Sequence, residues 1–156
     1  MASTLYSFDT SSLLNGRRDL LPPSIFRTLW SNREAMIVGG EVCAVDEVRN
    51  ELSRRDDDVW AWAKAQDNLF LPLDEDIQRA TSATLTSHQK LMGRGGGRNG
   101  ADPFVIGLAL ARGGTVVTEE TRSGNLDKPR IPDVCADLGV PWVNLIGFVR
   151  AQGWTF

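Results

Sequence analysis

Leu5-Tyr6-Ser7-Phe8-Asp9-Thr10-Ser11-Ser12 is the stretch that decides how the chain folds. Its apolar residues favour a buried β-strand, and Asp9 with three hydroxyl residues follows where that strand ends. In an α/β sheet, ligands bind beyond the carboxyl ends of the strands. Asp9 is therefore either a ligand for a bound group or a cap for the following turn, which is the usual role of Asp after a strand.

The composition is that of an ordinary globular protein. Its 156 residues are enough for a single domain, residues 1–156, with a core that needs no disulfides. The net charge of −3 argues against broad adhesion to nucleic acid but allows a local basic strip. No apolar run is long enough to span a membrane, and the N-terminus lacks signal-peptide features. We therefore expect a cytoplasmic protein without membrane association.

Histidine and cysteine are too scarce for most catalytic sites that depend on them. Cys43 and Cys135 lie apart among apolar residues, so we expect both to be buried thiols. His88 is the only histidine, which excludes a two-histidine ribonuclease site. A nucleophile triad would have to use His88 itself. Its polar neighbours predict an exposed position on a helix.

Strand-like and helix-like segments alternate along the chain. Because this alternation is typical of a parallel sheet, we expect an α/β fold with helices on both faces. Trp60 and Trp62 fall on an amphipathic segment and are expected to serve packing. The predicted strands are residues 5–8, 41–45, 69–73, 115–118 and 140–146, and the clearest predicted helices are 24–32, 47–53, 74–92, 103–112 and 131–138.

Acidic residues stand at two predicted strand ends and two predicted helix starts. These residues are Asp9, Glu47, Asp102 and Glu120, with Glu119 as a spare. Each alone could be a helix cap or a first-turn charge. Brought together they would repel one another unless a divalent cation neutralised them, and oxygen ligands without His or Cys select Mg²⁺ or Mn²⁺. Such a site suits hydrolysis of a phosphodiester.

A glycine-rich segment, residues 93–100, predicts a loop. It lacks the pattern of a phosphate-binding loop. Its two arginines, Arg94 and Arg98, could contact an RNA backbone. The segment could equally be a plain flexible connection.

Four ordered motifs resemble those of the PIN-domain ribonucleases. The resemblance is nearest to VapC-type bacterial toxins or a related PIN-like branch, and it extends over most of the chain. Each motif is weak, but their ordered combination is fairly specific. The motifs are Phe8-Asp9-Thr10-Ser11-Ser12-Leu13-Leu14, Val45-Asp46-Glu47-Val48, Ala101-Asp102-Pro103-Phe104-Val105-Ile106-Gly107-Leu108-Ala109 and Val116-Val117-Thr118-Glu119-Glu120.

By that resemblance the fold is a three-layer α/β/α sandwich and the activity is metal-dependent cleavage of RNA. The resemblance implies that Asp9, Glu47 and Asp102 are metal ligands. It implies that Thr10 or Ser11 orients a metal-bound water and that Thr118 does likewise beside the fourth acid. The family also implies an antitoxin partner, whose segment occupies the active-site groove, and dimer formation.

The last motif departs from the family pattern, which usually has Asp where this chain has Glu120. Either Glu120 or Glu119 could be the fourth acid, and Asp133 is a further candidate. The alternative function is a PIN-like binding module without catalysis. A phosphohydrolase of another fold is disfavoured, because Ser11 stands where an aspartyl-phosphate enzyme needs a second aspartate.

Overall fold

The computed structural model describes residues 4–55, 57–92 and 100–156, and in this part of the chain five strands form one sheet. The strands are β1 (Tyr6–Phe8), β2 (Val42–Val45), β3 (Phe70–Leu71), β4 (Thr115–Val117) and β5 (Trp142–Val143). Their order is β3-β2-β1-β4-β5, and every neighbouring pair is parallel. The predicted parallel sheet is confirmed, and β1 lies at its centre.

Helices connect the strands. They are α1 (Thr10–Asn15), α2 (Arg27–Val38), α3 (Asp46–Leu52), α4 (Asp57–Lys64), α5 (Glu75–Ser87), α6 (Asp102–Arg112), α7 (Ile131–Leu138) and α8 (Leu145–Gln152). A π-helical turn, Gly16–Leu20, continues α1, and a 3₁₀ turn, Gln89–Met92, follows α5. None of the helices in the described part of the chain is long and apolar enough to cross a membrane.

The side chains of β1 show how the layers are arranged. Tyr6 and Phe8 point to one face, where their rings pack edge-on against Phe148 of α8, with centroids 4.9 and 5.2 Å away. Ser7 points to the other face and donates a hydrogen bond to the Val105 carbonyl of α6 at 2.9 Å. Because side chains alternate along a strand, Asp9 continues on the α6 side of the sheet.

Helix α6 is held close to α5 at Gly107. A Cβ at this position would lie 2.2 Å from the Thr81 hydroxyl oxygen, so only glycine permits the observed approach. The Thr81 hydroxyl donates to the Ile77 carbonyl at 2.7 Å within α5. This close packing fixes α6 and with it the position of Asp102 at its first turn.

Several predicted elements differ in their bounds from those observed, including the strand expected over residues 69–73, which is only Phe70–Leu71. The helix expected over residues 74–92 ends at Ser87, because the backbone leaves the helical region at His88. The strand expected over residues 140–146 is shorter, since the Asn144 side chain accepts a hydrogen bond from the Gly147 N–H and starts α8 there. The helix expected over residues 24–32 begins three residues later, at Arg27, and extends to Val38.

His88 is not exposed, as its polar neighbours suggested. Its ring is buried, with Nδ1 2.8 Å from the Ser87 hydroxyl and Nε2 2.7 Å from a carboxylate oxygen of Asp137. The ring therefore joins the end of α5 to α7. The prediction was wrong because it considered only the polar neighbours of His88 in sequence. Its partner, Asp137 on α7, is 49 residues away.

The two cysteines and Trp62 are buried, as the sequence predicts. Cys43 and Cys135 are buried free thiols, and burial raises the pKa of each to about 12. Trp62 is buried and packs edge-on against Trp30 of α2, with centroids 4.9 Å apart. Trp60 is partly buried against the same core, so both tryptophans serve packing, as predicted.

Candidate functional site

Strand register brings Asp9 beside Thr118. Phe8 of β1 pairs with Val117 of β4, so the residues that follow these two strands are neighbours at the sheet edge. The Thr118 hydroxyl donates a hydrogen bond to Oδ2 of Asp9, and the Asp9 N–H donates to the Val117 carbonyl at 3.1 Å. Two strand ends, 109 residues apart in sequence, thus meet at one point.

Asp9 caps α1 and also faces a cleft. Its Oδ1 accepts the Ser12 N–H at 2.8 Å, and the Ser11 hydroxyl donates to both carboxylate oxygens at 2.9 and 3.0 Å. The side chain is buried, and burial raises its pKa while the hydrogen bonds from Thr118, Ser12 and Ser11 act to lower it. The two roles considered for Asp9, cap and site residue, are therefore compatible.

The cleft is a cavity of about 680 Å³ at the carboxyl end of the sheet. Four acids from four different segments line it, namely Asp9, Glu51, Asp102 and Glu120. Thr10 and Ser11 line it as well. The fold thus gathers three of the acids expected from the sequence and adds Glu51.

Glu47 does not belong to the described lining of the cleft, and Glu51 stands there instead. Both lie on α3, and a spacing of four residues places them one turn apart on the same helix face. Glu51 accepts hydrogen bonds from the Thr10 hydroxyl and, at 3.2 Å, from the Ala101 N–H. These contacts tie α3 to α1 and to the start of α6.

The structure places the other predicted hydroxyl residues as follows. Thr10 donates to Glu51, so its hydroxyl orients an acid of the cleft. Ser11 donates to Asp9 and also accepts the Glu119 N–H at 3.2 Å. Thr118 accepts the Glu120 N–H at 3.0 Å, which fixes the backbone of the fourth acid. All three hydroxyls position carboxylates.

Asp102 and Glu120 have strongly raised pKa values. Burial is the largest cause for Asp102, followed by the charges of Glu120, Asp9 and Glu51, and the pKa rises to about 9. Burial and then the charge of Asp9 raise the pKa of Glu120 to about 7, although Arg130 acts to lower it. The two shifts describe carboxylates that repel one another in a poorly hydrated site.

Glu119 is turned away from the cleft. Its carboxylate accepts the Leu145 N–H at 2.7 Å, at the first residue of α8. Glu119 therefore stabilises the start of that helix, while its neighbour Glu120 lines the cleft. Between the two acids considered for the fourth position, Glu120 has the position facing the others.

Asp133 organises a loop. It is buried and accepts hydrogen bonds from the backbone N–H groups of Ser123, Gly124 and Arg130 at 2.8–2.9 Å, and from the Ser123 hydroxyl. Burial alone would raise its pKa, but these donors outweigh burial and lower the pKa to about 2. Asp133 thus holds residues 123–130 against the first turn of α7.

The donor set of the cleft suits a hard divalent cation. Four carboxylates without His or Cys are the ligands that Mg²⁺ and Mn²⁺ prefer. The repulsion that raises the pKa of Asp102 is the interaction that a cation would relieve. Within residues 4–55, 57–92 and 100–156, no group of three or more His, Cys, Asp or Glu residues is close enough to hold a metal ion. The chemistry of the cleft fits such an ion, and its acids are not drawn together around one.

Basic side chains surround the acids. Arg18 from the π-helical turn and Arg54 and Arg55 after α3 line the same cleft. Arginine suits the binding of phosphate groups near such acids. Arg94 and Arg98, for which either an RNA contact or a plain flexible connection was considered, lie outside the described residues.

Sequence reasoning missed Glu51 because two acids one turn apart are equivalent as a local pattern. The deciding contacts, to Thr10 and to Ala101, come from segments 41 and 50 residues away. The available signal was the position of Glu51 immediately before Leu52, a fully buried residue that seats this end of α3. That signal identifies a partly buried acid but not its partners.

The chain matches a known protein family and a solved structure. A family described as a domain of unknown function, DUF4411, matches residues 6–156. The chain is also similar to a solved structure, VapBC2 from Rickettsia felis bound to a DNA fragment from its promoter. That similarity has a TM-score of 0.52 and 10% identity over 90% of this chain and 98% of that one. No curated protein sequence matches. The likeness concerns the fold, and it confirms the predicted PIN-like α/β/α sandwich.

Proposed function

The chain belongs to the DUF4411 family, and from its PIN-like fold we propose that it is a metal-dependent endoribonuclease, the toxin of a toxin–antitoxin pair. One observation carries the proposal: four carboxylates from separate segments line one cleft at the carboxyl end of the sheet. Repulsion among these carboxylates lowers the stability of the folded chain. A bound cation would relieve that repulsion.

Asp9, Glu51, Asp102 and Glu120 are the residues that would hold Mg²⁺ or Mn²⁺. Their carboxylates would have to move closer together around the ion than they stand in this structure. When bound, the metal supplies a more acidic water and stabilises charge on the phosphate. Ser11 and Thr118 hold the Asp9 carboxylate through hydrogen bonds to both of its oxygens. Thr10 and the Ala101 N–H hold Glu51 in the same way. The hydroxyl residues thereby fix the direction of two ligands, which outer contacts at metal sites commonly do.

Arg18, Arg54 and Arg55 would bind the phosphates that flank the bond to be cut. Their exposure suits this role, because charged groups at the rim attract a polyanion without being buried. VapBC2 is a complex bound to promoter DNA. From the resemblance to VapC-type toxins, we propose that this chain pairs with an antitoxin.

The first test is cleavage of a mixed cellular RNA pool in Mg²⁺ or Mn²⁺. We expect the wild type to cut RNA, EDTA to abolish cutting, and Asp9→Asn to lower the rate at least about 100-fold, since asparagine keeps the cap but removes the charge. Asp67→Asn, at an exposed position, is the matched control and should cut at the wild-type rate. Folding of each variant is checked by thermal melting.

The outcome that contradicts the proposal is a folded wild type that neither cuts RNA nor binds Mn²⁺ in calorimetry. That result would favour the alternative, a PIN-like binding module without catalysis. Cutting that persists unchanged in Asp9→Asn would contradict the assignment of the site while leaving the activity in place.

The two glutamates of α3 offer a matched pair. Glu51→Gln should weaken Mn²⁺ binding and lower the cleavage rate by more than about 10-fold, because the amide keeps the shape but not the charge. Glu47→Gln should change both by less than about twofold, since Glu47 is outside the described cleft lining. The reverse order of effects would assign the metal to Glu47, as the sequence suggested.

A further inference from the structure

A second cavity adjoins the acidic cleft. It measures about 570 Å³ and is lined by Arg17, Arg18, Asp58 and Trp62, with Pro23 and Ala61. Arg18 lines both cavities, so the two form neighbouring parts of one surface. The volume lies within the range of small-molecule sites and is enough for one nucleotide.

Arg17 is held in place by aromatic rings. Its guanidinium carbon lies 4.9 Å from the centroid of Trp30 and 5.1 Å from that of Trp62, which are cation–π distances. The Trp62 indole N–H donates to Glu34 at 2.9 Å and thereby fixes the ring. Arg17 is thus a cation whose position is set before any ligand arrives.

A third arginine, Arg33, lies over the Trp30 ring that also contacts Arg17. Arg33 is buried, and its guanidinium carbon lies 4.5 Å from the Trp30 centroid and 4.6 Å from that of Phe8. None of its three side-chain nitrogens has a hydrogen-bond partner among the described residues. Burial, followed by the nearby charge of Arg17, lowers its pKa to about 9. Cations held close together in this way favour an anion nearby.

The lining of the cavity has more arginine than carboxylate, and acids also lie near its arginines. Glu34 and Asp58 are the acids that interact with Arg17. The charged residues that line the cavity are two arginines, Arg17 and Arg18, and one carboxylate, Asp58. Asp19, which is outside the lining, pairs with Arg18 at 3.7 Å. The neighbouring acidic cleft is lined by four carboxylates and three arginines.

We propose that this second cavity binds the nucleotide adjacent to the scissile phosphodiester, with its phosphate at Arg17 and Arg18 and its base and sugar against Pro23, Ala61 and Trp62. The inference rests on the proposed ribonuclease function. In this proposal the RNA strand runs from the acidic cleft past Arg18 toward α4. The apolar wall carries no group that selects one base, so the cavity contributes affinity and reach more than sequence preference.

Single-stranded RNA fits these features better than an acidic peptide. The shared Arg18 links the cavity to a site where phosphate chemistry is proposed, and an apolar wall beside two arginines matches the alternation of base and phosphate along a strand. An acidic peptide could bind the arginines, but it would gain no attractive contact by extending toward the acids of the neighbouring cleft.

The experiment measures binding of RNA of increasing length, in Mg²⁺ and in an Asp9→Asn background that does not cut. Strands of about three nucleotides reach the acidic cleft alone, whereas strands of about eight also reach the second cavity. We compare this background with Arg17→Gln/Arg18→Gln, with Arg18→Gln alone, and with Arg150→Gln, an exposed arginine that lines neither cavity.

We expect the double variant to bind the longer strand about 10-fold more weakly and to lose most of the gain in affinity with length. The slope of log affinity against log salt should become shallower by about 1.4, from two lost phosphate contacts. Asp58→Asn should act in the opposite direction and strengthen binding about twofold, because it removes a like charge. Arg150→Gln should change none of these values.

Two results would overturn the inference and are distinguishable. If the wild type cuts RNA but the double variant keeps its length dependence and salt slope, the second cavity is not part of the RNA path, and the nuclease stands. If the wild type neither cuts nor binds RNA of either length, the proposed function itself fails. Arg18→Gln, at an exposed position, keeps the test valid if Arg17→Gln disturbs the aromatic packing.

Discussion

Asp102 and Asp133 are two aspartates at the starts of helices, and they have opposite environments. Asp133 receives three backbone N–H groups and one hydroxyl, and its pKa falls to about 2. Among the described residues no hydrogen-bond donor reaches the Asp102 carboxylate, which instead faces three other acids, and its pKa rises to about 9. Burial raises both values, so the supply of donors makes the difference.

The contrast separates a structural acid from a candidate functional one. A buried carboxylate with its hydrogen bonds satisfied stabilises the fold in its charged form. A buried carboxylate among like charges destabilises the fold when charged. A bound ligand can offset this loss of stability. The acidic cleft is therefore a better site for a cation than the Asp133 loop.

The largest expected effect is on activity at Asp102. Asp102→Asn should lower the rate of RNA cleavage in Mg²⁺ at least about 100-fold, because one charged ligand is lost from the cation site. Asp133→Asn should keep the rate per folded molecule within about threefold, since its loop lies outside the described lining of the acidic cleft. Rates are normalised to the folded fraction. Equal losses in the two variants would remove the distinction between the acids.

The next effect is on stability at Asp133. Asp133→Ala removes the acceptor of the N–H groups of Ser123, Gly124 and Arg130, and we expect it to lower the free energy of unfolding by about 1–2 kcal/mol at pH 7. Because the pKa in the folded state is below the ordinary value of 3.8, the charged form contributes stability above about pH 4, and this is lost as the pH falls toward 2. Urea unfolding should therefore show the gap between wild type and variant closing below pH 4. A constant gap would contradict the role given to the charge.

How much of this could be predicted from the sequence depends on the range of the interaction. The strand at residues 5–8, the strand at 115–117 and the helix at 131–138 were predicted nearly as observed, because alternation and capping are local signals. The gathering of Asp9, Asp102 and Glu120 at one sheet edge followed from parallel topology. The elements needed only local periodicity, whereas the choice of these acids also drew on the resemblance to the PIN-domain motifs.

The remaining parts depended on distant contacts. The opposite orientations of Glu119 and Glu120 are set by the start of α8, some 26 residues further along the chain. The burial of His88 is set by Asp137, and the choice of Glu51 over Glu47 by Thr10 and Ala101. The two positions of each glutamate pair looked alike locally, and the neighbours of His88 gave no sign of its distant partner. Only tertiary contacts distinguish them, so sequence reasoning could name the pair but not the member.

The smallest effect is on the stability of the metal-free protein, and it has the opposite sign to the effect at Asp133. The folded-state pKa of Asp102, about 9, is above its ordinary value of 3.8, so the unfolded chain ionises first and folding loses stability as the pH rises between these values. Asp102→Asn removes that loss. In EDTA we expect the variant to be more stable than the wild type by about 0.5–2 kcal/mol at pH 8, with a smaller difference at pH 5. Mn²⁺ should reverse the order by stabilising the wild type alone. Thermal melting at the two pH values tests this, and a variant less stable than the wild type in EDTA would show that the Asp102 charge is satisfied without a cation.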